Sequence, residues 1–286
     1  MNGVKSFLRL CFSTFFSILG GCWLIIEIVN TIFPNKVPIV GNPHFLLVPS
    51  LILSIIYIVP VTFCITYRVD GHDKIIKIRI GNILHKKNGT LVVGTNDSLS
   101  TDLDLVGSGS LQAQVTKLIG QEAIENQFSE AKRNFNVSQD GRYSFGLCFE
   151  GRAVRDKKVR FCKKPYSFLY IIMSSLTAGQ NANTTKEQLT RAIKQMFVQT
   201  SKLNIKDATI YCPLLGTGTA NVDLPKQTVA EILISQYIAH CRENGCNIKS
   251  FIICIHWKDL QHIKLNDLRR TCEQMVVTCS NCPRER

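Results

Sequence analysis

ATIYCPLLGTGTANVDLPKQTVAEILISQYIAH, from Ala208 to His240, contains the pattern that decides the fold. Ala208 to Cys212 reads as a short buried strand. Pro213-Leu214-Leu215-Gly216-Thr217-Gly218-Thr219-Ala220 follows as a glycine loop. Pro225 then opens an amphipathic helix carrying Val229, Ile232, Leu233, Tyr237 and Ile238 on one side. Strand, glycine loop and helix together suit an anion. Glycines admit φ > 0 and close backbone approach, so N–H groups converge on phosphate oxygens, and the helix dipole adds to the attraction. A plain strand-to-helix turn that binds nothing has the same local pattern.

A second such unit lies upstream. Lys74 to Ile83 alternates like a strand and ends in Gly81-Asn82-Ile83-Leu84. Thr90 to Val93 is a buried strand running into Gly94-Thr95-Asn96-Asp97. Asp102 and Asp104 lead to Val106-Gly107-Ser108-Gly109-Ser110-Leu111, and a helix with Leu111, Val115, Leu118 and Ile119 follows. Ser108 and Ser110 either supply hydroxyl donors or cap that helix.

Further along, Tyr143 to Phe149 and Val159 to Cys162 read as strands or a hairpin. A basic run lies between and after them (Arg152, Arg155, Lys157, Lys158, Arg160, Lys163, Lys164). It reads as a solvated hairpin tip or a contact for anionic lipid headgroups. Nucleic acid is not expected, since no recognition helix or aromatic interleaving accompanies it. Phe168 to Ser174 is a buried strand, Thr185 to Leu203 a capped amphipathic helix, Phe251 to His256 a last strand and Leu260 to Cys272 a last helix. Strands alternating with helices predict a mainly parallel or mixed sheet covered on both faces. Ligands of such sheets bind beyond the carboxyl ends of the strands, where both glycine loops fall.

The N-terminal region has a different character. Leu10 to Phe33 and Phe45 to Tyr67 are apolar runs long enough to span a bilayer, and Pro49 and Pro60 are tolerable in the second. A cleaved signal peptide fits the first less well, because a second run follows at once. Lys5 and Arg9 precede the pair, and Arg68, Lys74, Lys77, Arg79, Lys86 and Lys87 follow it. The positive-inside rule therefore predicts a two-helix hairpin over 1–67 in the cell membrane, multi-pass, with both termini cytoplasmic and a cytosolic domain over 68–286. Ser13, Ser17 and Gly21 share one helix face suited to close packing. Glu27 is either a group facing a pore or a neighbouring subunit, or a side chain reaching the outer interface.

Formal charge is +13, of which residues 1–67 supply +2, so the rest favours anionic partners such as nucleotides or lipid. The twelve cysteines are scattered, several in apolar strands (Cys148, Cys212, Cys254), as expected of reduced, packed thiols. Cys279-Ser-Asn-Cys282 with Cys272 has part of a zinc spacing but lacks a second pair, so no metal or other cofactor is expected.

From Lys74 to the last helix the residues quoted resemble a macro domain, the ADP-ribose-binding α/β/α fold. The resemblance implies a three-layer mixed sheet. It also implies a ligand site at Asn82, Ile83, Gly94, Thr95, Asn96, Asp97, Gly107, Ser108, Gly109, Ser110, Leu111, Leu215, Gly216, Thr217, Gly218, Thr219 and Ala220. Asn82 stands where the family carries an Asp against the adenine amino group. The 213–220 stretch stands where the family's phosphate loop stands. The Asn on which the family's hydrolases rely aligns with Asp97, and their glycine run is interrupted here by serines, which implies binding without catalysis.

A membrane hairpin joined to such a domain resembles the membrane effectors of Thoeris-type bacterial anti-phage defence. That resemblance implies an ADP-ribose-derived messenger, with a histidine-conjugated form as one candidate, made by a partner TIR-domain protein. It further implies ligand-induced homo-oligomerisation, disruption of the lipid bilayer and abortive infection. A membrane-tethered ADP-ribosyl hydrolase and a non-binding membrane scaffold are the competing readings.

Overall fold

The computed structural model describes residues 2–32, 50, 64–69, 73–85, 89–102, 106–138, 141–152, 167–176, 182–202, 208–218, 222–243 and 246–280. The chain divides into two compact units, Met1–Ile65 and Thr66–Arg286. Helix α1 (Asn2–Ile32) occupies the first.

The second unit is built on one mixed sheet. Its strands are β1 (Cys64–Val69), β2 (Lys74–Ile80), β3 (Thr90–Asn96), β4 (Cys148–Arg152), β5 (Ser167–Leu176), β6 (Ala182–Asn183), β7 (Ala208–Pro213) and β8 (Ile248–Ile255). The order across the sheet is β1-β2-β8-β7-β3-β5-β4, with β6 pairing beside β5. β2, β8, β7, β3 and β5 run parallel, while β4 and β6 are antiparallel to β5. Five parallel strands therefore end on one edge of the sheet, and that edge is where the glycine loops project.

Helices cover both faces, as a parallel sheet with buried apolar strands requires. On one face lie α2 (Leu111–Ile119) and α3 (Gln121–Asn134). Val115, Ile124, Phe128 and Ala131 join Leu91, Val93, Phe168 and Tyr170 in a continuous core there. Phe128 meets Tyr170 edge-on at 5.1 Å and Phe149 stacks on Tyr170 at 5.0 Å. On the other face lie α4 (Lys186–Lys202) and α5 (Lys226–Glu243). Tyr237 of α5 stacks on Phe251 of β8 at 5.0 Å, and Phe197 of α4 meets the same ring edge-on at 5.0 Å. A final helix, α6 (Leu265–Ser280), packs against α5. The expected mixed α/β architecture is therefore present.

The reading of residues 1–67 needs correction. Among the described residues no helix is long and apolar enough to cross a membrane. This finding overturns the expected multi-pass membrane location with both termini cytoplasmic. The second expected span is also wrong at its end, because Cys64 to Tyr67 belong to strand β1. Exposed and half-buried side chains alternate along β1 until the buried Val69, the period of a sheet-edge strand rather than a helix.

Other differences are local. The strand expected over Tyr143 to Phe149 forms at Cys148–Arg152 instead, and α3 is an additional helix. The last helix starts at Leu265, because Trp257–His262 is a 3₁₀ segment. Most of the span over 45–67 lies outside the described residues, as do the connecting loop 34–44, Lys86, Lys87, Asp104 and the basic residues from Arg155 to Lys164 with the strand expected there. Thr219, Ala220 and Cys282 lie outside them too.

The described cysteines Cys148, Cys212, Cys241, Cys246, Cys254 and Cys272 are buried. Burial pushes the Cys272 thiol up to about 12, and burial with the nearby Cys254 raises the Cys212 thiol well above its usual range. Both are neutral packing groups. Among the described residues no group of three or more His, Cys, Asp or Glu stands close enough to hold a metal ion.

Candidate functional site: a cleft across the strand ends

A cleft of about 220 Å³ crosses the carboxyl ends of β2, β8, β7, β3 and β5. Gly81, Asn82 and Ile83 line it after β2, with Cys254, His256 and Asp259 beside them from β8 and the segment after it. Pro213, Leu214, Leu215, Gly216, Thr217 and Gly218 line it after β7. Gly94, Thr95 and Asn96 come from the end of β3, and Met173 and Ser174 from β5. Val106, Ser110, Leu111, Gln112 and Gln114 form the wall opposite, at the start of α2.

The β7 loop is shaped by one glycine above all. Gly216 has φ +78°, and a Cβ placed there meets Val222 Cγ2 at 2.3 Å. A side chain is thus excluded both by conformation and by contact. Its carbonyl accepts from the Val222 N–H at 3.0 Å, which ties the loop to the chain leading into α5. Thr217 Oγ1 closes the turn by donating to the Leu214 carbonyl at 2.8 Å. Gly218 differs, since a Cβ there meets nothing within 4 Å. Its small size keeps the cleft open rather than the chain folded.

The second loop ends in a helix cap. The Ser110 N–H donates to the Gly107 carbonyl at 3.0 Å, and Ser110 Oγ accepts from the Ala113 N–H at 3.0 Å. Of the two roles open to Ser110, capping is therefore realised, and Ser110, Leu111 and Gln112 at the start of α2 line the cleft. Ser110→Ala removes this cap. The expected cost is about 1 kcal/mol, read as a melting temperature lower by about 2–4 °C for a domain of this size; an unchanged melt would mean the cap carries no load.

Two expected side chains are already engaged within the protein. Asn82 Oδ1 accepts from the Leu84 N–H at 2.9 Å, opening the short 3₁₀ turn Ile83–His85. Asn96 Oδ1 accepts from the Ser98 and Ser100 N–H groups at 3.2 and 3.0 Å and from Ser98 Oγ at 2.7 Å. That arrangement folds the chain back after β3, with Leu99 at φ +49°.

Asp97 does not line the cleft. It is buried, and its Oδ2 lies 3.6 Å from Arg142 Nη1, which also donates to Ser175 Oγ at 2.7 Å. The Asp97 backbone meets Ser174 and Tyr143 on either side. Gly107, Ser108 and Gly109 likewise stand off the cleft, at the turn before α2.

Among the described lining residues there is no lysine or arginine. The charged group present is Asp259, which is paired with Lys226 at the start of α5. His256 caps the 3₁₀ segment that follows β8, its Nδ1 accepting from the Lys258 N–H at 3.3 Å.

Sequence reading missed Gln112, Gln114, Met173, Ser174, Cys254 and Asp259. Met173 had no legible signal. It sits at a register shift opposite the Thr95/Asn96 step, and its sulfur fills the space beside Gly94, where a Cβ would come within 2.4 Å. Cys254 was legible in principle, as the neighbour of Ile255 at the end of a strand.

Comparison with known proteins places the fold. A family model described as Thoeris protein ThsA, Macro domain, matches residues 76–256. Among solved structures, the chain is similar to an Oceanobacillus iheyensis macrodomain with MES bound. That similarity has a TM-score of 0.52 and 15% identity, covering 74% of this chain and 98% of that one. The same macrodomain with ADP gives a TM-score of 0.51 at 15% identity, covering 74% and 97%. A mutant of it with ADPR gives 0.51 at 13%, covering 73% and 99%. No curated protein matches the chain.

Proposed function

The chain belongs to the Thoeris ThsA macro-domain family, and from that premise we propose that the strand-end cleft binds an ADP-ribose-derived ligand as a signal rather than as a substrate. One observation carries this reading. The 213–218 loop and the start of α2 converge on a single cleft whose described lining has no cationic side chain. A diphosphate seated between them is held by amide groups, a mode that depends on backbone position and so on glycine. Macrodomains of the same fold solved with ADP and with ADPR support the choice of ligand.

Binding without turnover is supported by the fate of the polar groups after β3. The Asp97 carboxylate is turned to Arg142, and the Asn96 oxygen accepts three hydrogen bonds from Ser98 and Ser100. Neither is free to activate water against a ligand in the cleft. In this reading a partner TIR-domain protein supplies the messenger in anti-phage defence, a histidine-conjugated ADP-ribose being one candidate. Occupancy of the cleft favours a self-assembled state, as any ligand with higher affinity for one state must.

Gly218→Glu tests the site without disturbing the fold. The added side chain has open space around it and meets no φ penalty, and its carboxylate faces the expected diphosphate. Calorimetry of the full chain with ADP-ribose is expected to show affinity reduced at least about 100-fold, with the melting temperature within about 2 °C of the wild type. Wild-type affinity in this variant would move the diphosphate away from the β7 loop.

A further inference from the structure

At the edge of the sheet opposite the cleft, His240 and Cys241 from the end of α5 meet Cys246, which lies just before β8. All three are buried, with Cys241 1% and Cys246 3% exposed. The two thiols are free and hydrogen-bonded to each other, and Cys246 also hydrogen-bonds His240. The His240 ring is fixed from two sides. It stacks on Phe197 at 5.8 Å, and its Nε2 lies 2.9 Å from Ser201 Oγ. Among the described residues these groups do not make a metal site.

The pairing sets Cys246 apart from the other buried thiols. Cys148, Cys212 and Cys272 are raised by burial. The hydrogen bond with Cys241 lowers the Cys246 thiol in spite of burial, and His240 lowers it further. The same hydrogen bond, together with burial, raises Cys241. One sulfur is thus prepared as a nucleophile, and the other is kept as a protonated second thiol. Thiols already within hydrogen-bond reach need little movement to join through sulfur. His240 also lines a groove of about 590 Å³ between α4 and α5, which brings solvent to the cluster. Since Cys246 is almost fully covered, the oxidant that fits is one close to water in size.

We propose that Cys241 and Cys246 are a modification site, a thiol pair that hydrogen peroxide converts to an intramolecular disulfide while His240 carries the proton. The Cys246 sulfur attacks one peroxide oxygen and the O–O bond breaks. That leaves a sulfenic acid on Cys246 and a hydroxide, which takes the former Cys246 proton from His240 and departs as water. The Cys241 sulfur then attacks the Cys246 sulfur. The S–O bond breaks, and the second hydroxide leaves as water with the Cys241 proton. Two electrons pass from the thiols to the peroxide. The product ties the end of α5 to the start of β8, and the site is independent of the function proposed for the cleft.

Trypsin cuts after Arg242, so the disulfide joins two peptides, Gln227–Arg242 and Glu243–Lys249. The test treats the folded full chain with hydrogen peroxide, quenches it, unfolds the chain and blocks the remaining thiols with N-ethylmaleimide. Mass spectrometry of the digest without reductant then maps the cysteines. The linked pair is expected, with Cys148, Cys212 and Cys272 still blocked by N-ethylmaleimide. Glutathione disulfide, too bulky for the site, is expected to leave the pair unlinked. Cys241→Ser is expected to stop at the Cys246 sulfenic acid, captured by dimedone. His240→Gln is expected to slow linkage at neutral pH about 10-fold or more, through the loss of thiolate. The wild-type arms decide the matter even where a variant does not fold. No linked pair in the wild type, oxidation of Cys212 or Cys272 at the same rate, linkage by glutathione disulfide, or wild-type speed in His240→Gln would overturn the proposal.

Discussion

Gly216→Val is expected to abolish ADP-ribose binding and to destabilise the domain at the same time. The residue holds φ +78°, a region that a β-branched side chain almost never enters, and its Cβ would stand 2.3 Å from a Val222 methyl. The backbone strain alone is worth about 1–3 kcal/mol, and overpacking against Val222 adds a similar amount. The loop must therefore swing away, carrying its amide groups off the diphosphate. Denaturant titration should show the stability loss, and calorimetry no saturable binding. Gly216→Val and Gly218→Glu together separate the two uses of glycine in one loop, since the second is expected to lose affinity alone. A Gly216→Val chain that kept wild-type stability would mean that the turn does not need this conformation.

Phe251→Ala is expected to have the largest effect on stability in the molecule. Phe251 lies on β8 in the middle of the sheet, fully buried, stacked on Tyr237 of α5 and met edge-on by Phe197 of α4. Removing the ring strips the contact that fixes two helices to the sheet. The loss should be about 3–5 kcal/mol, a third or more of the 5–15 kcal/mol typical of a whole domain. Phe251→Leu, which keeps most of the volume, should lose much less. Urea unfolding of the two variants measures the difference directly; equal losses would show that ring packing is not what binds this layer.

The elements that sequence made legible are those whose cause is local. Gly216 announces itself because a glycine between a strand and a helix is the cheapest way to reach positive φ. The parallel strands β3, β5, β7 and β8 read as short apolar runs because both faces of the sheet are covered. Helix α3 escapes that reading, since Gln121–Asn134 is mostly polar. The signal was present all the same, with Ile124, Phe128 and Ala131 recurring at i, i+4 and i+7. In β1 the apolar character of Phe45 to Tyr67 hid a period of two at its end, and the strand was absorbed into a membrane span.

Site residues divide in the same way. Asn82, Thr95, Asn96, Ser110, Gly216 and Gly218 lie at strand or helix ends, where sequence position alone puts them near the cleft. Asp97 is next to Asn96 in the chain, yet it lies beyond the end of β3 and its carboxylate goes to Arg142. Met173 and Ser174 enter through the register of β5 against β3, a long-range property that no motif encodes.

The central claim is that the strand-end cleft takes an ADP-ribose-type ligand through the β7 loop. Its most direct test is calorimetric titration of ADP-ribose into the full wild-type chain, with mass followed by light scattering in the same samples. The account predicts saturable binding at one site per chain, accompanied by an increase in mass. No heat and no change in mass at millimolar ADP-ribose would contradict it.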